Sequence, residues 1–175
     1  MQHASRLQVT NWLVAQGLTG LPEHELIRGF CERCCAEGIP LSYGLVVIDT
    51  LHPIFEGRGF RWSDVETNQP DSFEYGSSAE GDAAEGWRRS IFYEMLEHGH
   101  EHRVVDLTDT SSHRYSRFDE LAAKGHKHVT SFVHRFGEAG AMGRMDCVYS
   151  NWTTRQHDGF GEEGLAALRD LVPVL

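Results

Sequence analysis

The sequence has no uninterrupted apolar run of about 18 residues, the length a membrane-crossing helix requires, so it offers no transmembrane candidate. Nor does it open like a secretory leader, because Met1–Gln2–His3–Ala4–Ser5–Arg6 runs straight into a polar-studded amphipathic stretch. Positive charge is in deficit, with 16 Lys and Arg against 26 Asp and Glu and a formal net charge of -10. That excludes a nucleic-acid partner, since phosphate backbones are held by cationic surfaces. Cysteine is scarce: the four are Cys31, Cys34, Cys35 and Cys147. Without a leader they are expected as reduced thiols in the cytoplasm. The chain also lacks a GxSxG nucleophile elbow and a P-loop, which removes the commonest hydrolase and nucleotide-binding signatures.

What remains is 175 residues, 40% hydrophobic and 24% charged, enough for one domain with a real core. "SRLQVTNWLVAQG" predicts a helix from about Ser5, stopped by Gly17. "LPEHELIRGFCERCCAEG" predicts a second, with Pro22 in its first turn, Glu23 and Glu25 at the positive dipole end and Gly38 at its exit. Its inner stripe is Leu26, Ile27, Phe30, Cys31, Cys34 and Cys35. Two strands follow, about 41–49 and 54–62, with Pro53 breaking the chain between them. From Ser63 to Gly86 the acids Asp64, Glu66, Asp71, Glu74, Glu80, Asp82 and Glu85 meet no Lys or Arg, and a long solvated loop is expected.

"EGWRRSIFYEMLEHG" predicts one helix and "HRVVDL" a short strand. "SRFDELAAKG" predicts a helix with Ser116 and Asp119 spaced as a capping box. "HKHVTSFVHRFG" alternates as a strand, placing His128, Thr130, Phe132, His134 and Phe136 on one face. After the turn "EAGAMG", "RMDCVYSNW" puts Met145, Cys147 and Tyr149 on a common face. "GEEGLAALRDLVPVL" is an amphipathic helix striped by Leu165, Leu168, Leu171, Val172 and Leu175. Short connections favour antiparallel pairing, so the fold class is α+β with a central sheet.

Each chemistry-bearing cluster has a structural reading beside it. The thiols of "CERCC" read as core, because no second CxxC or CxxH completes a zinc set. In "HGHEH", His98, His100 and His102 read as a helix C-terminus complementing the dipole, with a divalent metal as the alternative. His128 and His134 read as sheet histidines or, alternatively, as ligands to a haem or metal. Arg88 and Arg89 either grip an anionic ligand or pair with the acidic stretch upstream. Asp49 and His52 read as turn residues, since no nucleophile stands near them; a free-standing enzyme would use this pair and the arginines.

"GIPLSYGLVVIDTLHPIFEGRGFRW", "WRRSIFYEMLEHG", "DELAAKGHKH" and "YSNWTTRQHDGFGEEGLAALRDLVPVL" together resemble the N-terminal region of bacterial class III adenylate/guanylate cyclases of the group common among rhizobia. The likeness spans about Trp12 to Leu175, with "LVVIDTLHP" and "LAALRDLVPVL" its most specific parts. It implies a GAF-like antiparallel sheet flanked by N-terminal and C-terminal helices. Residues 1–38 would be a helical pair, 39–160 the sensor core and 161–175 a signalling helix leading to a cyclase domain. It also implies a homodimer through the terminal helices and a small-molecule effector. The metal-holding aspartate pair of such cyclases is not expected here, for no FxDIxGF-like stretch occurs; no catalytic or metal residue is assigned. Tyr43 stands where that group has a basic residue and Gly161 where it has a serine N-cap. The candidate ligand-contact residues are Tyr43, Phe60, Trp62, Arg88, Arg89, Phe132, His134, Cys147 and Tyr149.

Overall fold

The computed structural model describes residues 1–50, 56–76, 80–135 and 147–175. His52 and Pro53, Phe136, the 138–143 turn and Met145 lie outside the described residues. The chain begins with α1 (His3–Leu18) and α2 (Glu23–Ala36), then β1 (Tyr43–Asp49), β2 (Gly57–Ser63) and β3 (Ser72–Tyr75). Next come α3 (Gly81–Arg88), α4 (Ile91–Glu97), β4 (His102–Asp106), a 3₁₀ turn (Thr110–Arg114) and α5 (Phe118–Ala123). β5 (His128–Arg135), β6 (Cys147–Thr154), α6 (Gly161–Leu171) and a 3₁₀ turn (Val172–Val174) complete it. The six strands form one sheet in the order β3-β2-β1-β6-β5-β4. Every neighbouring pair is antiparallel.

Strand alternation splits the sheet into two unlike faces. One row crosses it as Phe60, Val46, Ser150, Phe132, His102, and the next as Trp62, Gly44, Trp152, Thr130. This face lies under α1, α2 and α6, where Val9, Leu13, Ile27, Phe30, Ala167 and Leu168 share a buried cluster with Phe60, Phe132 and Trp152. Trp152 is fully buried and meets Phe30 edge-on at 5.2 Å between ring centroids. Its indole N–H donates to Ser150 Oγ at 3.0 Å, so the ring's polar edge is satisfied inside the core. Gly44 lets β1 run beside this ring, because a Cβ there would lie 2.7 Å from an indole carbon. The opposite face carries Tyr43, Leu45, Val47, Tyr149, Asn151 and Val133. There Ile91, Phe92, Met95 and Phe118 pack with Val129, Cys147 and Tyr149 in a second cluster.

Several expectations are corrected. The acidic stretch is not all loop: Ser72–Tyr75 is an edge strand, paired so that Phe73 faces Gly59 and Tyr75 faces Gly57. The two glycines make the room, since a Cβ at Gly59 would fall within 2.1 Å of the Phe73 ring. The helix expected over "EGWRRSIFYEMLEHG" is two helices, because Ser90 caps the second: its Oγ accepts the Tyr93 N–H at 3.1 Å. Ser116 and Asp119 form no capping box. Arg117 adopts a left-handed φ of 71° before α5, and Ser116 Oγ donates to the Gly86 carbonyl at 3.2 Å instead. The last helix ends at Leu171, and Pro173, which has no N–H to donate, sits in a 3₁₀ turn. Its stripe faces inward, with Leu168 and Leu171 buried against α1 and the sheet.

Trp152→Ala should cost about 3–5 kcal/mol, by loss of transfer energy and an unfilled cavity. Gly44→Ala should cost about 1–3 kcal/mol by overpacking against the same ring. Urea denaturation of the variants checks both.

Candidate functional site

A cavity of about 720 Å³ opens over the second face of the sheet. Tyr43, Leu45 and Asn151 form its floor, Ile91 and Phe92 of α4 with Phe118 and Leu121 of α5 its apolar wall, and residues 65–69 its rim. The size suits a small organic ligand. The α4 wall is anchored by Glu94, whose carboxylate accepts from Tyr115 Oη at 2.9 Å, from Arg114 at 2.9 Å and from Arg103. Burial acts to raise the Glu94 pKa, but the bonds from Tyr115 and Arg103 hold it below the usual value, so it stays a carboxylate.

One end of the cavity is closed by His126, which is 3% exposed. Its Nδ1 lies 2.7 Å from Ser42 Oγ and 2.9 Å from Thr153 Oγ1, and the two hydroxyls are 3.1 Å apart. The triangle ties the start of β1, the end of β6 and the segment before β5 together beside the floor. Burial, reinforced by the positive Arg155, pushes the His126 pKa down to about 4, with Asp64 opposing and Lys124 assisting. The imidazole is therefore neutral at pH 7 and serves as a hydrogen-bonding group. On the floor, Asn151 Oδ1 accepts from Ser131 Oγ at 2.7 Å. Arg61 stacks on Phe73, 4.2 Å from the ring centroid, and donates to Gln69 Oε1 at 2.9 Å. Burial raises the Tyr43 pKa while Arg117 and Arg61 draw it back, so both guanidinium groups act on the phenol.

The structure distributes the sequence candidates over both faces. Tyr43 lines the cavity floor. Cys147 and Tyr149 share its face and sit in the core beneath α4, where Tyr149 meets Phe92 at 5.2 Å and Trp87 at 5.4 Å. Phe60 and Phe132 are buried on the helical side, and Trp62 packs against that core while bordering the cavity rim. His134 lies on the helical face stacked on Phe132, with Nε2 buried and unpartnered among the described residues; burial lowers its pKa. His128 Nε2 is engaged with the His157 carbonyl at 2.9 Å. Arg88 and Arg89 are exposed and do not line the cavity. His98 closes α4 with Nδ1 on the Glu94 carbonyl at 2.8 Å and stacks on His100, whereas His102 stands in β4 against Thr130 Oγ1. No three His, Cys, Asp or Glu residues among those described are grouped to hold a metal. Asp49 accepts from Tyr75 Oη at 2.8 Å.

Sequence reasoning missed Arg61, Asn151, Arg117, Phe118 and His126. On β2 it favoured the apolar register, Phe60 and Trp62. The signal overlooked was the other register, Gly57, Gly59 and Arg61, whose two glycines make room for the Tyr75 and Phe73 rings, the second of which supports Arg61 at the cavity.

With this geometry in place, comparison with solved structures defines the fold class. The GAF domain of a two-component sensor histidine kinase from Bacillus halodurans superposes with a TM-score of 0.58 at 10% identity, over 87% of this chain and 89% of that one. The phycoerythrobilin-bound GAF domain of a cyanobacterial phytochrome gives 0.57 at 11% identity, over 99% and 93%. A phycocyanobilin-bound GAF domain, also from a cyanobacterial phytochrome, gives 0.50 at 14% identity, over 97% and 90%. No protein-family model matches the sequence, and no curated protein matches it significantly. The chain has the GAF-domain fold. Among the described residues no helix is long and apolar enough to cross a membrane.

The histidines set a pH dependence. His126 and His102, the latter depressed by burial and by Arg169, drop from the unfolded value of 6.5 to about 4 in the fold. Between those values the unfolded chain binds protons that the native state refuses. Stability is therefore full above about 6.5 and falls as pH drops toward 4. Urea midpoints measured across that window should decline, and His126→Gln should flatten the decline.

Proposed function

We propose that this chain is a regulatory sensing and dimerisation module whose effector occupies the cavity over β1 and β6. The cavity itself carries the reading: about 720 Å³ with an apolar wall and a few aimed polar groups, on a sheet whose other face packs under the terminal helices. One of the similar GAF domains is bound to phycoerythrobilin. Ligand binding that prefers one arrangement of the sheet shifts the population toward it, by no more than its differential affinity. β1 transmits the change, because Leu45 faces the cavity and its neighbours Gly44 and Val46 face the core under α1, α2 and α6. The sequence resemblance extends the proposal: the output domain is a class III adenylate cyclase acting in the cytoplasm on ATP, and these residues do no chemistry themselves.

The dimer surface we assign to α1. Leu7, Val14 and Leu18 are 54%, 49% and 84% exposed and lie seven and four residues apart, an apolar stripe on one helical face. A second copy of the helix, presenting the same stripe, is its occupant.

Three measurements test the proposal. Small molecules released by denaturing the purified protein, identified by mass spectrometry, should include one that raises its melting temperature when added back. Joined through Leu175 to a class III cyclase catalytic domain, the chain should yield different cAMP output with Leu45→Trp, which plugs the cavity, than without it; equal output overturns the regulatory link. Val14→Glu with Leu18→Glu should convert a sedimenting dimer to monomer while leaving the circular dichroism unchanged.

A further inference from the structure

The charge around the cavity runs against the charge of the chain. Acids outnumber bases 26 to 16 overall, yet the cavity is lined by the bases Arg61, Arg117, Lys124 and Arg155 and the acids Glu66, Asp71 and Glu120. Pairing removes some of these from consideration. Arg155 is neutralised by both oxygens of Asp64 at 2.6 and 2.5 Å. Asp71 is drawn to Arg28 at 2.6 Å. Glu120 reaches Arg117 only at 4.0 Å, with both side chains about half exposed, where such a pair is weak.

Arg61 is the group that stands out. Among the described residues no carboxylate lies within ion-pair distance of its guanidinium: Asp71, held by Arg28, acts on it only from beyond that distance, and uncharged groups make its direct contacts. Phe73 supports its plane, Gln69 takes one N–H, and the Nε is buried with no partner among the described residues. A guanidinium fixed by neutral contacts in a partly desolvated cavity is a preorganised receptor for a planar or tetrahedral oxyanion. Arg117 stands at the same place in a left-handed conformation, the only described non-glycine residue with positive φ. The Tyr43 hydroxyl, on which both guanidinium groups act, makes no hydrogen bond to a described residue and is free for a ligand. Beyond this polar corner the walls are apolar: Leu45 below, with Phe92 and Phe118 above.

We propose that the cavity takes an amphipathic organic anion, its carboxylate or phosphate head held by Arg61, Arg117 and Tyr43 and its apolar body lying between Leu45 and the Phe92–Phe118 wall. The inference rests on the reading of the cavity as the effector site. A cation of the same shape would lie against Arg61 and Lys124 in the polar corner, and a neutral analogue would leave the Arg61 N–H groups desolvated and unanswered.

Calorimetric titration of the full chain with matched probes tests it: 4-phenylbutyrate, its primary amide, 4-phenylbutylamine, 4-phenylbutyl phosphate and inorganic phosphate. The carboxylate or the phosphate ester should bind at least about tenfold tighter than the amide and the amine, with an advantage that shrinks as salt is raised. Arg61→Gln and Arg117→Gln should each reduce that advantage while leaving amide binding in place; Arg117 is exposed, so its substitution does not endanger folding. Carboxylate, ester and amide binding alike, or a preference unmoved by either substitution, overturns the anion inference and leaves the cavity reading standing. Inorganic phosphate binding as tightly as its ester overturns the apolar half of the proposal. If no organic probe binds, both the inference and the cavity reading fall.

Discussion

The antiparallel pairing of β1 with β6 at the middle of the sheet organises everything else in the molecule. It joins β2 and β3 on one side to β5 and β4 on the other, and it brings residues about a hundred positions apart into register. Because side chains alternate, this single pairing serves two unrelated tasks. Gly44, Val46, Ser150 and Trp152 face the helical core, while Tyr43, Leu45 and Asn151 line the cavity. A slip of one residue would exchange the two sets, placing the largest buried ring in the cavity and the floor's polar groups in the core. Trp152 guards against that slip, since it is fully buried and only a glycine opposite leaves it room.

Around this pair the molecule is built asymmetrically. On the helical side α1, α2 and α6 close over the sheet with aliphatic and aromatic side chains, and the Trp152 indole finds its partner there in Ser150. On the cavity side short helices and turns leave space, and polar links hold them: Ser90 starts α4, Glu94 clamps it to Tyr115, Arg114 and Arg103, and His126 locks the two central strands together at one end. Such links are individually modest. They fix geometry around a space that hydrophobic packing does not fill. A site of this kind is rigid at its floor and supported at its wall, which suits a ligand that must bias one arrangement of the fold over another.

Much of the scaffold is legible from residue pattern alone. The stripe of α2, from Leu26 to Cys35, is buried or half-buried as its helical spacing predicts, and the thiols of "CERCC" are core residues. The alternation of "HVTSFVHR" gives β5, with Thr130 and Phe132 on one face as read from the sequence. The failures share a cause. β3 has only Phe73 and Tyr75 to announce it, and its existence depends on two glycines of a strand twelve or more residues earlier. The break between α3 and α4 turns on one serine hydroxyl, and the lost capping box on a left-handed Arg117 whose neighbour Ser116 bonds elsewhere. The candidate ligand residues follow strand alternation and fall on two faces: Tyr43, Cys147 and Tyr149 share the cavity side, while Phe60, Phe132 and His134 lie on the helical side. On β2 Phe60 is buried in the core, Trp62 packs against that core while bordering the cavity, and Arg61 lines the cavity.

Local chemistry therefore determines most of the helices and strands and the α+β class, since periodicity and capping groups act over a few residues without regard to fold. Which face of each strand meets a ligand, and which charges remain unanswered, is decided only by the tertiary structure. Arg61 is held by Phe73 and Gln69, with no carboxylate of a described residue within ion-pair distance, and His126 is neutral because burial and Arg155 make it so. These are consequences of distance between residues far apart in the chain, and distance is what folding adds.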